Sequence, residues 1–70
     1  MPHPNAQGTG ALSLDGLVQR AYDMAGSAQE ELDNLQGGIR NTNQERKHIA
    51  RALAELKDAA VCLEALLARL

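Results

Sequence analysis

Aromatic side chains are almost absent from this 70-residue chain, because Tyr22 is the only one and there is no phenylalanine or tryptophan. Compact cores and enzyme pockets usually draw much of their buried surface from large rings, so the composition argues against both. The chain is also less than half as long as an ordinary domain, which predicts one small domain or one piece of an assembly. No set of residues is arranged for catalysis, and we expect a protein that is not an enzyme.

Metal-binding residue types are equally scarce. Cys62 is the only cysteine, which excludes an internal disulfide and is typical of a reducing, cytoplasmic setting. His3, His48 and Cys62 lie far apart in sequence, so we expect no metal site and no cofactor. The net charge of −2 argues against nucleic acid as a partner. The sequence has no apolar run near the roughly 18 residues of a spanning helix, so we expect no membrane segment.

The sequence does contain a strong helical periodicity after its start. Residues 1–11 hold two prolines and two glycines among small polar residues, which predicts a flexible tail over residues 1–12. Ser13 is suited to cap a helix, and the apolar spacing that follows predicts a first helix over residues 14–36. The apolar residues of this helix are Leu14, Leu17, Val18, Ala21, Met24, Ala25, Ala28, Leu32 and Leu35.

A second helix is predicted over residues 43–70. Gly37-Gly38 would end the first helix and open a turn over residues 37–42. Thr42 and Glu45 have the spacing of a capping box, in which each side chain bonds the backbone N–H of the other residue. The apolar stripe of the second helix is predicted to be Ile49, Leu53, Leu56, Ala60, Leu63, Leu67 and Leu70.

These elements predict an all-α fold, in which residues 13–70 form a coiled-coil-like hairpin of two antiparallel helices joined by a short turn. One long helix in a parallel coiled coil is the alternative, because the seven-residue register continues through the predicted turn. That arrangement would put Thr42 and Arg46 in the seam and both glycines in mid-helix. The hairpin is therefore favoured, and a structural oligomerisation segment stays open.

The C-terminal part of the second helix predicts contact with another chain. Residues 59–70 carry only two charges, and their apolar side chains surround the helix, which is typical of a buried helix. We expect self-association into a dimeric four-helix bundle or a higher homo-oligomer, and binding of another protein as a small chaperone, adaptor or inhibitor. The predicted interface residues are Leu53, Leu56, Ala60, Val61, Leu63, Leu66, Leu67 and Leu70.

The charges are divided between the helices. The first helix has five acidic residues and one arginine, whereas residues 37–57 have five basic and two acidic residues. We expect surface ion pairs between the group Glu30, Glu31 and Asp33 and the group Arg46, Lys47 and Arg51. The alternative is a nucleotide or phosphate site at the positive start of the second helix. The residues of this predicted anion site are Arg40, Thr42, Asn43, Arg46, Lys47, His48 and Arg51.

The layout of residues 14–70 resembles three kinds of small helical hairpin. They are the needle-subunit co-chaperones of bacterial type III secretion, short phage-encoded hairpins that block host defence or signalling, and the plasmid-encoded repressor of primer. The resemblance lies in the helix spacing and the short turn, and no functional residue is carried over from it. It implies a protein-binding or ligand-sequestering hairpin, and in the third case a dimeric four-helix bundle.

Overall fold

The computed structural model describes residues 12–70, and the predicted tail over residues 1–12 lies outside this range except for Leu12. The described chain contains two helices, α1 (Leu14–Asp33) and α2 (Asn43–Arg69), and no strand. Residue numbers rise along α1 and fall along α2 at the contacts between them, since Arg20 bonds Asp58 and Glu31 bonds His48. The prediction of an all-α hairpin of two antiparallel helices is therefore confirmed, and the alternative of one continuous long helix is wrong.

α1 ends three residues before the predicted position 36. The backbone N–H groups of Asn34, Leu35 and Gln36 donate to carbonyls three residues back, which tightens the chain into a 3₁₀-like turn. The amide of the Asn34 side chain also donates to the Glu30 carbonyl at 3.0 Å, so a carbonyl at the helix end is satisfied. Gly38, with a φ of +112°, then turns the chain away from the direction of α1.

α2 begins with the capping box predicted from Thr42 and Glu45. The Glu45 N–H donates to the Thr42 hydroxyl at 3.2 Å, and the Thr42 N–H donates to the Glu45 carboxylate at 2.8 Å. The same carboxylate accepts the backbone N–H of Arg40 at 2.8 Å. Asn41 takes a left-handed φ of 65° between these two donors. One carboxylate therefore closes the loop onto the start of α2.

The seam between the helices is built from small side chains. Ala21 of α1 packs with Ala59 of α2 in the core cluster, and Ala28 and Ala52 are buried nearer the loop. Alanine at positions seven residues apart lets two helices approach closely, because only a methyl group separates the backbones. Leu17 and Cys62 fill the open end of the seam. Leu17 and Cys62 form the core cluster of the hairpin together with Ala21 and Ala59, and the side chains packed against this cluster include Leu12, Met24 and Leu66.

The predicted stripe of α2 is wrong as the packing face of the hairpin. Ala52 lies in the seam, whereas the neighbouring Leu53 is exposed, and Ala59 is buried whereas Ala60 is exposed. This difference of one position has a physical reason. The close approach of the alanines brings Asp58 of α2 within reach of Arg20 of α1. Turning the leucines inward would remove both the close approach and this ion pair.

Enlarging a seam alanine should destabilise the hairpin. We expect Ala52→Leu to lower the free energy of unfolding by about 1–3 kcal/mol, because the added methylenes force the helices apart. Ala54→Leu places the same side chain at an exposed position of the same helix and should change stability by less than about 0.5 kcal/mol. Urea unfolding followed by circular dichroism measures both. Equal effects of the two variants would contradict the alanine seam.

Candidate protein-interaction surface

The seam alanines divide the hairpin into two faces of different chemistry. The residue four positions after each seam alanine is always apolar, and the residue just before it is always polar. The apolar set is Ala25, Leu32, Leu56 and Leu63. The polar set is Arg20, Ser27, Arg51 and Asp58. This repeated order predicts which side of the hairpin each set occupies.

Antiparallel packing puts each set on one side of the molecule. A step of four residues rotates a side chain about 40° past the seam, and a step back of one residue rotates it about 100° the other way. Because α1 and α2 run in opposite directions, the same rotation in both helices points to the same side of the pair. The bond between Arg20 and Asp58 agrees with this geometry, since both residues precede a seam alanine.

The side that carries the apolar set is here called the apolar face. Its aliphatic side chains run the length of both helices, and none is covered within residues 12–70. Leu56 is 46% exposed, Leu63 is 51% exposed and Leu67 is 77% exposed. An exposed apolar surface of this kind makes the apolar face the candidate interaction surface of the hairpin. The members of the apolar face are Leu14, Val18, Ala25, Leu32, Ile49, Leu53, Leu56, Ala60, Leu63 and Leu67.

The predicted interface residues mostly lie where a partner can reach them. Leu53, Leu56, Ala60, Leu63 and Leu67 belong to the apolar face. The other three lie elsewhere: Val61 is exposed away from the apolar face, Leu70 is exposed at the end of α2, and Leu66 packs against the hairpin core. Leu66 therefore stabilises the hairpin itself and is a poor position at which to test association.

An ion pair between the helices lies on the opposite side. The guanidinium of Arg20 donates to both carboxylate oxygens of Asp58, at 3.1 and 2.6 Å. This two-bond geometry holds the pKa of Asp58 below its usual range, chiefly through the hydrogen bonds from Arg20. The thiol of Cys62 lies 3.8 Å from the same carboxylate. The charge pattern of the sequence does not predict this pair, because Arg20 and Asp58 lie 38 positions apart and outside both predicted charge groups.

A second contact between the helices corrects the predicted ion pairs near the turn. Nδ1 of His48 lies 2.6 Å from the Glu31 carboxylate, and both side chains are less than one-quarter exposed. Glu31 therefore pairs as expected but with the histidine, because inward-facing His48 is the residue level with it. Within residues 12–70, no ion pair joins Glu30 or Asp33 to Arg46, Lys47 or Arg51.

The start of α2 already holds an anion that belongs to the chain. The Glu45 carboxylate accepts hydrogen bonds from the backbone N–H groups of Thr42 and Arg40, and these hydrogen bonds lower its pKa. His48, another residue of the predicted anion site, is engaged by Glu31. Arg46, Lys47 and Arg51 are exposed. Glu45 therefore occupies two of the backbone N–H groups that an external phosphate would use, while the three cations stay exposed, so the predicted anion site remains a prediction.

Residues 12–70 contain no other candidate site. No pocket is present there, and no three histidine, cysteine or acidic side chains of this range cluster around a common point where a metal would fit. Neither described helix combines the length and the hydropathy that crossing a membrane requires. Comparison of the chain with protein-family models, with curated proteins and with solved structures gives no match.

Acid should destabilise the hairpin through two carboxylates. Asp58 and Glu45 both have a pKa that is lower in the folded chain than the ordinary values of 3.8 and 4.5. Such groups stabilise the fold above the ordinary pKa, and the stabilisation is lost as the pH falls through the folded pKa. We expect the free energy of unfolding to fall between pH 6 and pH 3.

The matched variants locate this effect. Asp58→Asn and Glu45→Gln should each lower stability at pH 7 and make it less dependent on pH, because the titrating group is gone. Asp23→Asn is the control, since Asp23 is exposed and bonds only Gln19 of its own helix. Urea unfolding at each pH is the measurement. A wild-type stability that stays constant from pH 6 to pH 3 would contradict this account.

Proposed function

We propose that this protein is a non-enzymatic protein-interaction module that acts by packing its apolar face against another helical chain. The observation that carries the proposal is the exposure of the larger aliphatic side chains on one side of the hairpin, while alanines fill the seam. A helical partner fits this surface, because parallel rows of leucine and isoleucine on two helices form grooves that accept the ridges of further helices.

The size of the apolar face supports a stable association. Its eight large side chains together expose about as much surface as four complete aliphatic residues. This is on the order of 700 Å², close to the ~800 Å² that each partner buries in a standard protein interface. Exposed apolar patches on monomeric proteins are usually only a few hundred Å², so this face is large for a chain of 70 residues.

We propose a second copy of the chain as the main partner of the apolar face. Two hairpins packed by their apolar faces make a four-helix bundle, in which each helix gains a new neighbour and the alanine seams stay intact. The polar faces, with Arg20 and Asp58, would then lie on the outside. A chaperone, adaptor or inhibitor role follows if a helix of another protein competes with the second copy for the same face.

A single charge on the apolar face should separate the copies. We expect the wild-type chain to sediment as a dimer at tens of micromolar and Leu56→Glu to sediment as a monomer, because a carboxylate would be buried in the interface. Ala54→Glu is the matched control, with the same new side chain at an exposed position of the same helix outside the apolar face. This control should remain a dimer.

Sedimentation velocity over a concentration series measures the mass, and circular dichroism checks that each variant is helical. Val18→Glu puts the charge on α1 and should give the same result, so that the outcome does not depend on the folding of one variant. The proposal is contradicted if wild type, Leu56→Glu and Val18→Glu are helical and have the same mass at all concentrations.

A further inference from the structure

We infer that the second copy docks with its loop at the same end of the bundle, so that α1 of one copy packs against α2 of the other. This inference rests on the proposed self-association and adds its direction. Two hairpins packed face to face by a two-fold axis, with their helices aligned, have only two arrangements. In one, the axis runs along the helices and the loops lie side by side. In the other, the axis crosses the helices and the loops lie at opposite ends.

Side-chain size on the apolar face favours the arrangement with the loops together. Contacts between Glu31 and His48 and between Arg20 and Asp58 fix which residues of the helices are level. Ala25, in the middle of α1, is therefore level with the region of Leu53 on α2. With the loops together, this small residue meets the large side chains of the partner's α2, and large and small residues interlock.

The opposite arrangement matches sizes poorly. It packs α1 against α1 and α2 against α2. The alanine-containing middles of the two α1 helices would then face each other and leave space between them. Leu53 and Leu56 of α2 would meet the same two residues of the other copy, so that large side chains face large ones. Voids and overpacking both cost stability, so this arrangement loses at two places in the same interface.

The net charges of the helices favour the same choice. α1 carries five acidic residues and one arginine, whereas the half of α2 nearest the loop is basic. With the loops together, each acidic α1 lies beside a basic partner segment. With the loops apart, the two acidic helices lie side by side. Charges at single positions do not decide, because each arrangement brings together one pair of like charges, Asp15 with Glu64 or Asp15 with Asp33, and one pair of opposite charges, Arg46 with Asp33 or Arg46 with Glu64.

Spin-label distances between the two copies test the direction of packing. Gly37→Cys puts one label beside the loop, at a position where an added Cβ meets nothing within 4 Å. Ala68→Cys puts one label at the other end of the hairpin, on an exposed position of α2. The native Cys62 is fully buried, so it should not react with the label. Wild type taken through the same labelling treatment is the control for this.

The two arrangements predict different distances in a hairpin whose longest dimension is 46 Å. With the loops together, the two labels of a dimer should lie within about 30 Å of each other in both variants. With the loops apart, both pairs should be separated by about 40 Å or more, from the 1.5 Å rise per residue of the helices. Pulsed electron–electron double resonance, on samples shown to be dimers by sedimentation, distinguishes these results.

A second variant tests the size argument without labels. Ala25→Leu should weaken the dimer at least tenfold when the loops lie together, because the new side chain meets Leu53 of the partner. It should strengthen the dimer when the loops lie apart, because it fills the space between the two α1 helices. Long distances for both labels, or a tighter Ala25→Leu dimer, overturn the inference while self-association stands. A wild-type chain that stays monomeric overturns both proposals.

Discussion

The close packing of four alanines between the two helices determines the rest of this structure. Ala21, Ala28, Ala52 and Ala59 are buried because the helices meet through methyl groups, and this contact fixes the rotation of each helix about its own axis. Once that rotation is set, most of the larger aliphatic residues outside the core turn to one side, and Arg20 and Asp58 lie on the other. The surface that we propose as an interface is thus a consequence of how the hairpin closes.

The polar contacts hold the same geometry at three places along the hairpin. Arg20 binds Asp58 near the open end, Glu31 binds His48 near the loop, and the Glu45 carboxylate closes the loop itself. Exposed ion pairs add little stability, but a pair that forms only at one helix rotation disfavours the others. These contacts therefore favour the rotation that leaves leucines such as Leu56 outside. A face kept exposed in this way is suited to a partner chain.

Sequence alone could predict the two helices, because apolar spacing, capping residues and paired glycines are local signals. The capping box at Thr42 and Glu45 was readable for the same reason. The rotation of the helices could not be predicted in the same way. Hydrophobicity ranks Leu53 above Ala52 and says nothing about how closely two backbones can approach. The seven-residue spacing of Ala21 and Ala28, repeated in α2, was the available signal. The Arg20–Asp58 pair depends on that rotation and so could not be predicted before it.

The central claim is that the apolar face is covered by another chain in solution. The most direct test is the relaxation of leucine methyl groups by a small neutral nitroxide, measured at millimolar protein. The account predicts that Leu56 and Leu63 are protected nearly as well as the buried Leu17, while Leu70 at the end of α2 is strongly relaxed. Relaxation of Leu56 and Leu63 as strong as that of Leu70, in a chain that is fully helical, would contradict it.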